Sequence, residues 1–564
     1  MQRILILTAL LLSSCLAAKN PATLHTIDRM NRTSESLNSH AGEERYSVLE
    51  PIHEYTALIP AAHLETDGTA IYPRVKRMAD GRYIMFCQGG QIASRIYYYT
   101  SNDLKTWSGG TLLFEPYGVV TSAGEDTRCF STADAVVLAG GEILVACSYR
   151  ANAGYKHNVD CGIMLRRSTD NGASWSGEQI IFEGANWEPY LLQLPDGRVQ
   201  CYFTDCLPKD RNSGTSVITS FDGGDTWENH IRVCRQYKYE NNGVKIYTDQ
   251  MPCFKLLNDG RTIFGFLEAR VEPGGPQAKS KYMMSTVYNH GFDWRPLGEN
   301  REGPADRETN LFDGCAGYVA TFPSGETLIS CNIDRQFSLK IGDSGARVFN
   351  GRSWEDDWFR PFAGRGFWGS LERVGSHRVI GAMHCDEGIQ LGVFYLNHRI
   401  DAPRTKVKVD GNCAEWQGDQ ALFIGGDSPV QTVFRAACDG EYLYIAAERK
   451  DGTLSENSTM EMYISNGHGD RCVTVFTEVG PPGLISCSNG GMPVKGVRGA
   501  CRNAVTETGE NGYAAEVAVP LSVLGVSSGD TICFNAVVKG NGLSDTFTAA
   551  DVADPSTWMR IRLE

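Results

Sequence analysis

The 564-residue chain has no run of Lys or Arg and no basic stripe. With 67 acidic against 53 basic residues its formal net charge is -14. That balance excludes a nucleic-acid binder, which needs clustered cations. Beyond the first eighteen residues no apolar stretch approaches the roughly 20 residues of a membrane helix. None of the 18 cysteines forms a CxxC pair with zinc-site spacing, so no metal is expected from them. There is no P-loop, no dinucleotide fingerprint and no Ser-His-Asp set, and hence no implied cofactor. Glycine is abundant, at 61 residues, beside 42% hydrophobic and 10% aromatic residues. This is the composition of a turn-rich all-β protein rather than a disordered one.

One phrase recurs six times: a strand, a tight turn and a second strand. It reads Pro73 to Phe86 around Asp80-Gly81, then Ala135 to Ala146 around Gly140-Gly141 and Pro189 to Phe203 around Asp196-Gly197. It returns at Pro252 to Leu267 around Asp259-Gly260, at Tyr318 to Cys331 around Ser324-Gly325, and at Ser370 to His384 around Gly375-Ser376. Successive copies lie roughly 50 to 65 residues apart, the span of one four-stranded propeller blade. Six copies predict a six-bladed β-propeller over residues 46–400, with its ligand site on the axis at the openings of the inner strands. Arg399 to Pro403 reads as a linker. The short alternating strands that follow predict a β-sandwich over 401–564.

The first segment, 1–18, has Arg3 and an apolar run from Ile4 to Leu12, the pattern of a signal peptide. It ends in Leu12-Ser13-Ser14-Cys15, which resembles a bacterial lipobox with Cys15 as the lipidated residue. The expectation is an exported membrane lipoprotein, periplasmic or at the cell surface, with 19–45 as a polar tether. Cleavage after Ala18 would instead give a free secreted protein. Most other cysteines read as small core residues; Cys201 with Cys206, or Cys472 with Cys487, are possible disulfide pairs.

Between the repeats lies a second signature. Ser168 to Trp175 and Ser220 to Trp227 fit Ser-x-Asp-x-Gly-x-Thr/Ser-Trp, and Ser101 to Trp107 is a shortened copy. The Asp accepts from turn amides, the Gly takes positive φ and the Trp packs under the turn. These resemble the Asp-boxes of the sialidase superfamily, where they are structural.

Two glutamates stand out at strand ends. Glu188, in Trp187-Glu188-Pro189-Tyr190, opens an inner strand; Glu268 follows the apolar run Ile263 to Leu267. Two carboxylates across a pocket are the equipment for cleaving a glycosidic bond. The Trp-Glu-Pro-Tyr phrase, Met251-Pro252 and Leu257 to Arg261, with Glu268 after them, resemble glycoside hydrolase family 93. That resemblance implies an exo-acting enzyme on an α-L-arabinan-type polysaccharide, with Glu188 and Glu268 as the catalytic pair. Asp134 and Asp249 near the axis are candidate sugar-hydroxyl ligands, and Trp187, Tyr190 and Trp368 candidate pocket walls.

A competing resemblance is to the sialidases, which clamp a carboxylate with three arginines. It implies Arg74 and Arg335 as clamp residues, Arg270 as a poor third, and Asp126 as the acid/base. The nucleophilic Tyr of that family is missing before Ser370-Leu371, where Phe367-Trp368-Gly369 stands. A non-catalytic glycan-binding lipoprotein is the reading from outside the enzymes. Past the linker, Asp410-Gly411 to Glu415-Trp416 and then Asp439 to Tyr444 resemble family 9 carbohydrate-binding modules. Trp416, Tyr442 and Tyr444 are the sugar-stacking candidates that this implies.

Overall fold

A computed structural model describes residues 50–564 apart from short internal stretches, the longest being 61–69, 272–280, 425–431 and 451–457. Cys15 and the segments 1–18 and 19–45 lie outside the described residues, as do the side chains of Cys472 and Cys487.

The six phrases fold as predicted into six antiparallel sheets. Their inner strands are Ala70–Arg77, Gly124–Val137, Asn186–Gln193, Gln250–Leu256, Cys315–Thr321 and Phe367–Arg373. Each packs against the next, and the sixth packs against the first, so the ring is closed. The turns repeat one geometry. Gly81, Gly141, Gly197, Gly260 and Gly325 each donate to the carbonyl three residues earlier, and all five have φ between 66° and 124°. Only glycine adopts that backbone without strain.

Closure is not made by the six phrases alone. The outer strand of the sixth blade is Glu50–Pro60, which pairs with Gly388–Asn397 from Glu50↔Asn397 to Pro60↔Gly388. Blade 2 is also irregular. The first half of Gly124–Val137 runs past the level of the other inner strands and pairs with Tyr117–Thr121, raising a wall on one side of the ring.

The Asp-boxes hold as read. In the box at 168–175, Asp170 accepts from the Ser174 amide at 2.8 Å and its hydroxyl at 2.5 Å, and Ser168 Oγ accepts from the Gly172 amide at 2.8 Å. These donors, the Ser174 hydroxyl first, hold the Asp170 carboxyl down at about 2. In the box at 220–227 the Trp227 indole donates to the Gly224 carbonyl at 3.1 Å. In the shortened copy Leu104 takes the positive φ, 62°, that glycine holds elsewhere.

The C-terminal unit is a sandwich of an eight-stranded and a five-stranded sheet. Phe434, Leu443, Ile445 and Val517 of one sheet meet Met460, Ile464 and Phe534 of the other in its core. Ile400–Ala402, read from sequence as linker, is instead a strand of this sandwich, parallel to Met559–Leu563. A three-residue strand carries too little periodicity to show against a flanking proline. The two units are joined by side chains that copy a β-ladder. Asn397 donates to the Phe423 carbonyl at 2.9 Å and accepts from its amide at 3.0 Å. Tyr395 does the same with Ala421.

All fifteen cysteines with described side chains are free thiols, so the Cys201–Cys206 pairing is not made. Cys201 sits in a strand interior, opposite Leu191 and Ile218.

Candidate active site

The site is built on a defect repeated six times. Every inner strand slips register by one residue, between Ile71/Arg74, Ser131/Asp134, Trp187/Tyr190, Gln250/Cys253, Cys315/Tyr318 and Phe367/Ser370. The slip lies near the strand start in every blade but the second, whose strand is extended at that end. At each bulge one non-glycine residue has left-handed φ: Tyr72 61°, Thr132 50°, Glu188 55°, Met251 50°, Ala316 57° and Trp368 48°. The residue after it is Pro73, Ala133, Pro189, Pro252, Gly317 or Gly369. Proline fits because a bulge already breaks the ladder bond that it cannot make. Each left-handed residue stores on the order of 1–2 kcal/mol of strain. Six in one ring form a preorganised collar around the axis, where Tyr72, Met251 and Ala316 meet in a small apolar cluster.

Four of these amides are capped by a side chain on the second strand of the preceding blade, and the Glu188 amide by Thr132 Oγ1 at 3.1 Å. Thr132 N–H donates to Gln88 Oε1 at 3.0 Å, Met251 N–H to Thr204 Oγ1 at 2.9 Å, Trp368 N–H to Asn332 Oδ1 at 3.1 Å, and Ala316 N–H to Glu268 Oε2. Gln88, Thr204, Glu268 and Asn332 occupy one equivalent position on the second strands. A neutral side chain therefore suffices in three blades. The ionisable group at Glu268 exceeds what the structure requires.

Glu188 and Glu268 come from adjacent blades. Glu188 Oε2 accepts from Thr204 Oγ1 at 2.7 Å and from the Met251 amide at 2.9 Å. Burial raises its carboxyl above the usual range, and those two donors and the charge of Arg74 hold it back. Glu268 is 4% exposed and also accepts from Gln250 Nε2 at 2.7 Å. Burial, and then the charge of Glu188, push its carboxyl up to about 7. Near neutrality one carboxyl is thus poised to hold its proton beside a partner that ionises more readily. This is the split a general acid and its ionised partner need.

The flanking residues sort by burial. Trp368, 37% exposed, stacks on His384 with ring centroids 5.7 Å apart and planes 11° apart. Trp187 is half-buried, with the Arg150 guanidinium 4.0 Å from its ring. Arg270 is exposed two residues past Glu268 on the same strand face, opposite Tyr282. The Tyr282 hydroxyl is raised by burial and then by the charge of Glu268. Tyr282 has no motif around it; its only sequence signal is the cross-strand position opposite Arg270.

Other residues singled out in the sequence are engaged elsewhere. Arg74 is 2% exposed. Its guanidinium lies 3.6 Å from the Tyr72 ring and donates to the carbonyls of Trp368, at 2.9 Å, and Gly369, at 3.3 Å. Tyr72 covers it, so it acts on Glu188 through its charge and is itself shielded from solvent. Arg335 is exposed in a two-residue turn with Asp334, at φ 64° and 51°. A clamp joining buried Arg74 to this surface turn is not assembled. Asp126 accepts from the amides of Thr127, Ala153 and Gly154, which hold its carboxyl low, the wrong direction for an acid. Asp134 is buried against Tyr318 and Lys76. Asp249 is fully buried in a two-pronged pair with Arg307 Nη2, at 2.9 and 2.7 Å. Tyr190 lies below the collar, edge-on to Tyr318 at 5.6 Å. All three are buried.

The three sandwich aromatics are engaged to different degrees. Tyr444 is fully buried, with its hydroxyl on Asp439 at 2.6 Å, which removes it as a stacking residue. Trp416 donates to Glu516 at 2.7 Å and packs on the core. Tyr442 has one face taken by Arg498 at 4.5 Å. Among the described residues no group of three or more His, Cys, Asp or Glu is arranged to hold a metal.

Residues 65–264 match the family model described as a BNR repeat-like domain. No curated protein matches the sequence. Among solved structures, a protein of unknown function from Dyadobacter fermentans is similar at 14% identity, covering 62% of this chain and 99% of that one, TM-score 0.45. The Penicillium chrysogenum alpha-L-arabinanase complexed with arabinobiose is similar at 16% identity, covering 62% and 97%, TM-score 0.41. The GH93 alpha-L-arabinofuranosidase of Fusarium graminearum with arabinobiose is similar at 14%, covering 62% and 97%, TM-score 0.42. Likeness at this level carries no activity over to this chain.

Proposed function

We propose that the axial recess hydrolyses glycosidic bonds at a chain end, with Glu268 as proton donor and Glu188 as its ionised partner. The observation that supports this most directly is the placement of an ionisable group at 268, where blades 1, 3 and 5 cap the equivalent amide with Gln, Thr and Asn, together with the upward displacement of its carboxyl to about 7. A carboxylic acid that keeps its proton near neutrality can deliver it to a leaving oxygen. Glu188, bonded by Thr204 and the Met251 amide, supplies the negative charge that an oxocarbenium-like transition state needs, either as nucleophile or by activating water. Trp368 on His384, with Tyr282 and Arg270, offers an aromatic and a cationic wall for a sugar. The raised edge of blade 2 closes one side and favours a chain end over a through-running polymer.

The substrate class, an α-L-arabinan type, follows from the Trp-Glu-Pro-Tyr and Met-Pro phrases. The test is product identification from arabinan, arabino-oligosaccharides, sialyl-lactose and pectic side chains. Release of a short arabinose product is expected. Release of an acidic sugar would overturn the substrate assignment, and no release from any glycan would leave a binding protein. On the active substrate, kcat/KM falls above about pH 7 as Glu268 loses its proton, and falls again on the acid side as Glu188 gains one. A profile flat from pH 6 to 9 would remove Glu268 from the acid role.

The proposal includes a lipid anchor at Cys15. Expressed in a bacterium, the full chain should partition into detergent phase, and Cys15→Ala into the aqueous phase. Equal partitioning of the two would exclude the anchor.

A further inference from the structure

At the end of the axis opposite the glutamates the ring has a cavity of about 750 Å³, formed by the far ends of the inner strands and their turns. Lys76, Arg77, Lys255 and Arg373 line it, and Glu372 is the one carboxylate in the lining. In a chain of net charge -14, that is a local reversal of sign.

Three of the four cations are partly engaged. Lys76 donates to the Tyr318 hydroxyl at 3.0 Å and pairs with Asp134 at 3.4 Å. Arg77 gives one donor to the Val374 carbonyl at 2.7 Å, and Arg373 one to Gly375 at 3.2 Å. Lys255 has no hydrogen bond or ion pair among the described residues. Burial and the like charges of Lys76 and Arg373 hold its ammonium below the usual range, with Glu372 opposing. A half-buried amine without a direct ion pair, sharing one carboxylate, Glu372, with Lys76 at 3.9 Å, and with guanidinium groups in the same lining, is a donor set suited to tetrahedral oxyanions.

We propose that this lower cavity binds a phosphate or sulfate group, with Lys255 as the central donor and Arg77 and Arg373 flanking it. The volume is in the range of small-molecule sites, so the group is either the free ion or part of a small phosphorylated or sulfated solute. Neither Lys255 nor Arg373 belongs to the recess that holds the glutamates, so this inference stands apart from the proposed hydrolysis.

The test is equilibrium dialysis of the full chain with radiolabelled inorganic phosphate at fixed ionic strength in chloride. Saturable binding at a single site is expected. Lys255→Met should weaken it about tenfold or more, the loss expected for one charged hydrogen bond. Arg373→Gln, a change at an exposed side chain, should weaken it in the same direction and guards against a folding defect in the first variant. Competition by glucose 6-phosphate stronger than that of unlabelled phosphate would assign a solute-borne group, and weaker competition the free ion; both support the site. No binding above that in chloride, or full retention by Lys255→Met, would overturn it.

Discussion

Glu188→Gln and Glu268→Gln each lower kcat/KM on the released-sugar substrate by about 10³ or more, while substrate affinity changes only a few-fold. The magnitude is that of removing a positioned acid or an ionised partner from a hydrolytic site. The two variants should then part company on an aryl glycoside whose leaving group needs no proton. Glu268→Gln recovers most of its rate there, because only the acid is missing. Glu188→Gln stays slow, because its charge is needed whatever leaves. Equal recovery of both would reverse or dissolve the assignment of roles. A non-catalytic glycan binder would lose affinity and have no turnover to lose.

The second large effect is on stability and has the opposite sign. The Glu268 carboxyl sits at about 7 in the folded chain and near the ordinary glutamate value of about 4.3 once unfolded. Below the unfolded value both states hold the proton, and the group costs nothing. As pH rises toward 7 the unfolded chain releases its proton and the folded one does not, so stability is lost progressively. The loss levels off above the folded value at roughly 4 kcal/mol. Glu268→Gln removes this penalty, and Gln88 in the equivalent position of blade 1 already caps a bulge amide. Denaturant melts should therefore show the variant more stable than the parent by about 4 kcal/mol at pH 8 and nearly indistinguishable from it near pH 4. A gain independent of pH, or none at pH 8, would mean that the carboxyl is not displaced by its surroundings. Together the two measurements on Glu268→Gln describe a residue kept at a cost in stability for its chemistry.

The blades were legible because their signal is local. A turn such as Asp196-Gly197 needs positive φ at one position, and its spacing repeats. The Asp-boxes were legible for the same reason. The glutamates were found through short phrases, Trp-Glu-Pro-Tyr above all. What made the phrase unusual, Glu188 at left-handed φ ahead of Pro189, is one copy of a bulge shared by all six blades. Its trace was present as Pro73, Pro189, Pro252, Gly317 and Gly369 at matching places.

The misread residues share a different cause. Arg74 was read as a clamp, but its burial is decided by Tyr72 folding over it, a contact no spacing reports. Asp134 is held by Lys76 and Tyr318 of other blades, whereas Asp249 pairs with Arg307 on the outermost strand of its own blade. Tyr282 was missed because only the register of its hairpin puts it opposite Arg270. Ile400–Ala402 and Glu50–Pro60 pair with strands far away in sequence, and nothing near them announces it.

The seam at Glu50–Pro60 also sets the order in which the molecule can assemble. A chain delivered N-terminus first presents this strand early and must leave its edge unpaired until Gly388–Asn397 arrives. Five blades can be complete while the ring is still open, and the last contact to form is the one of longest range. Until then the exposed edge is a site where a second chain's Gly388–Asn397 can dock in place of its own. Slow closure and domain-swapped by-products are the characteristic hazards of refolding such a ring.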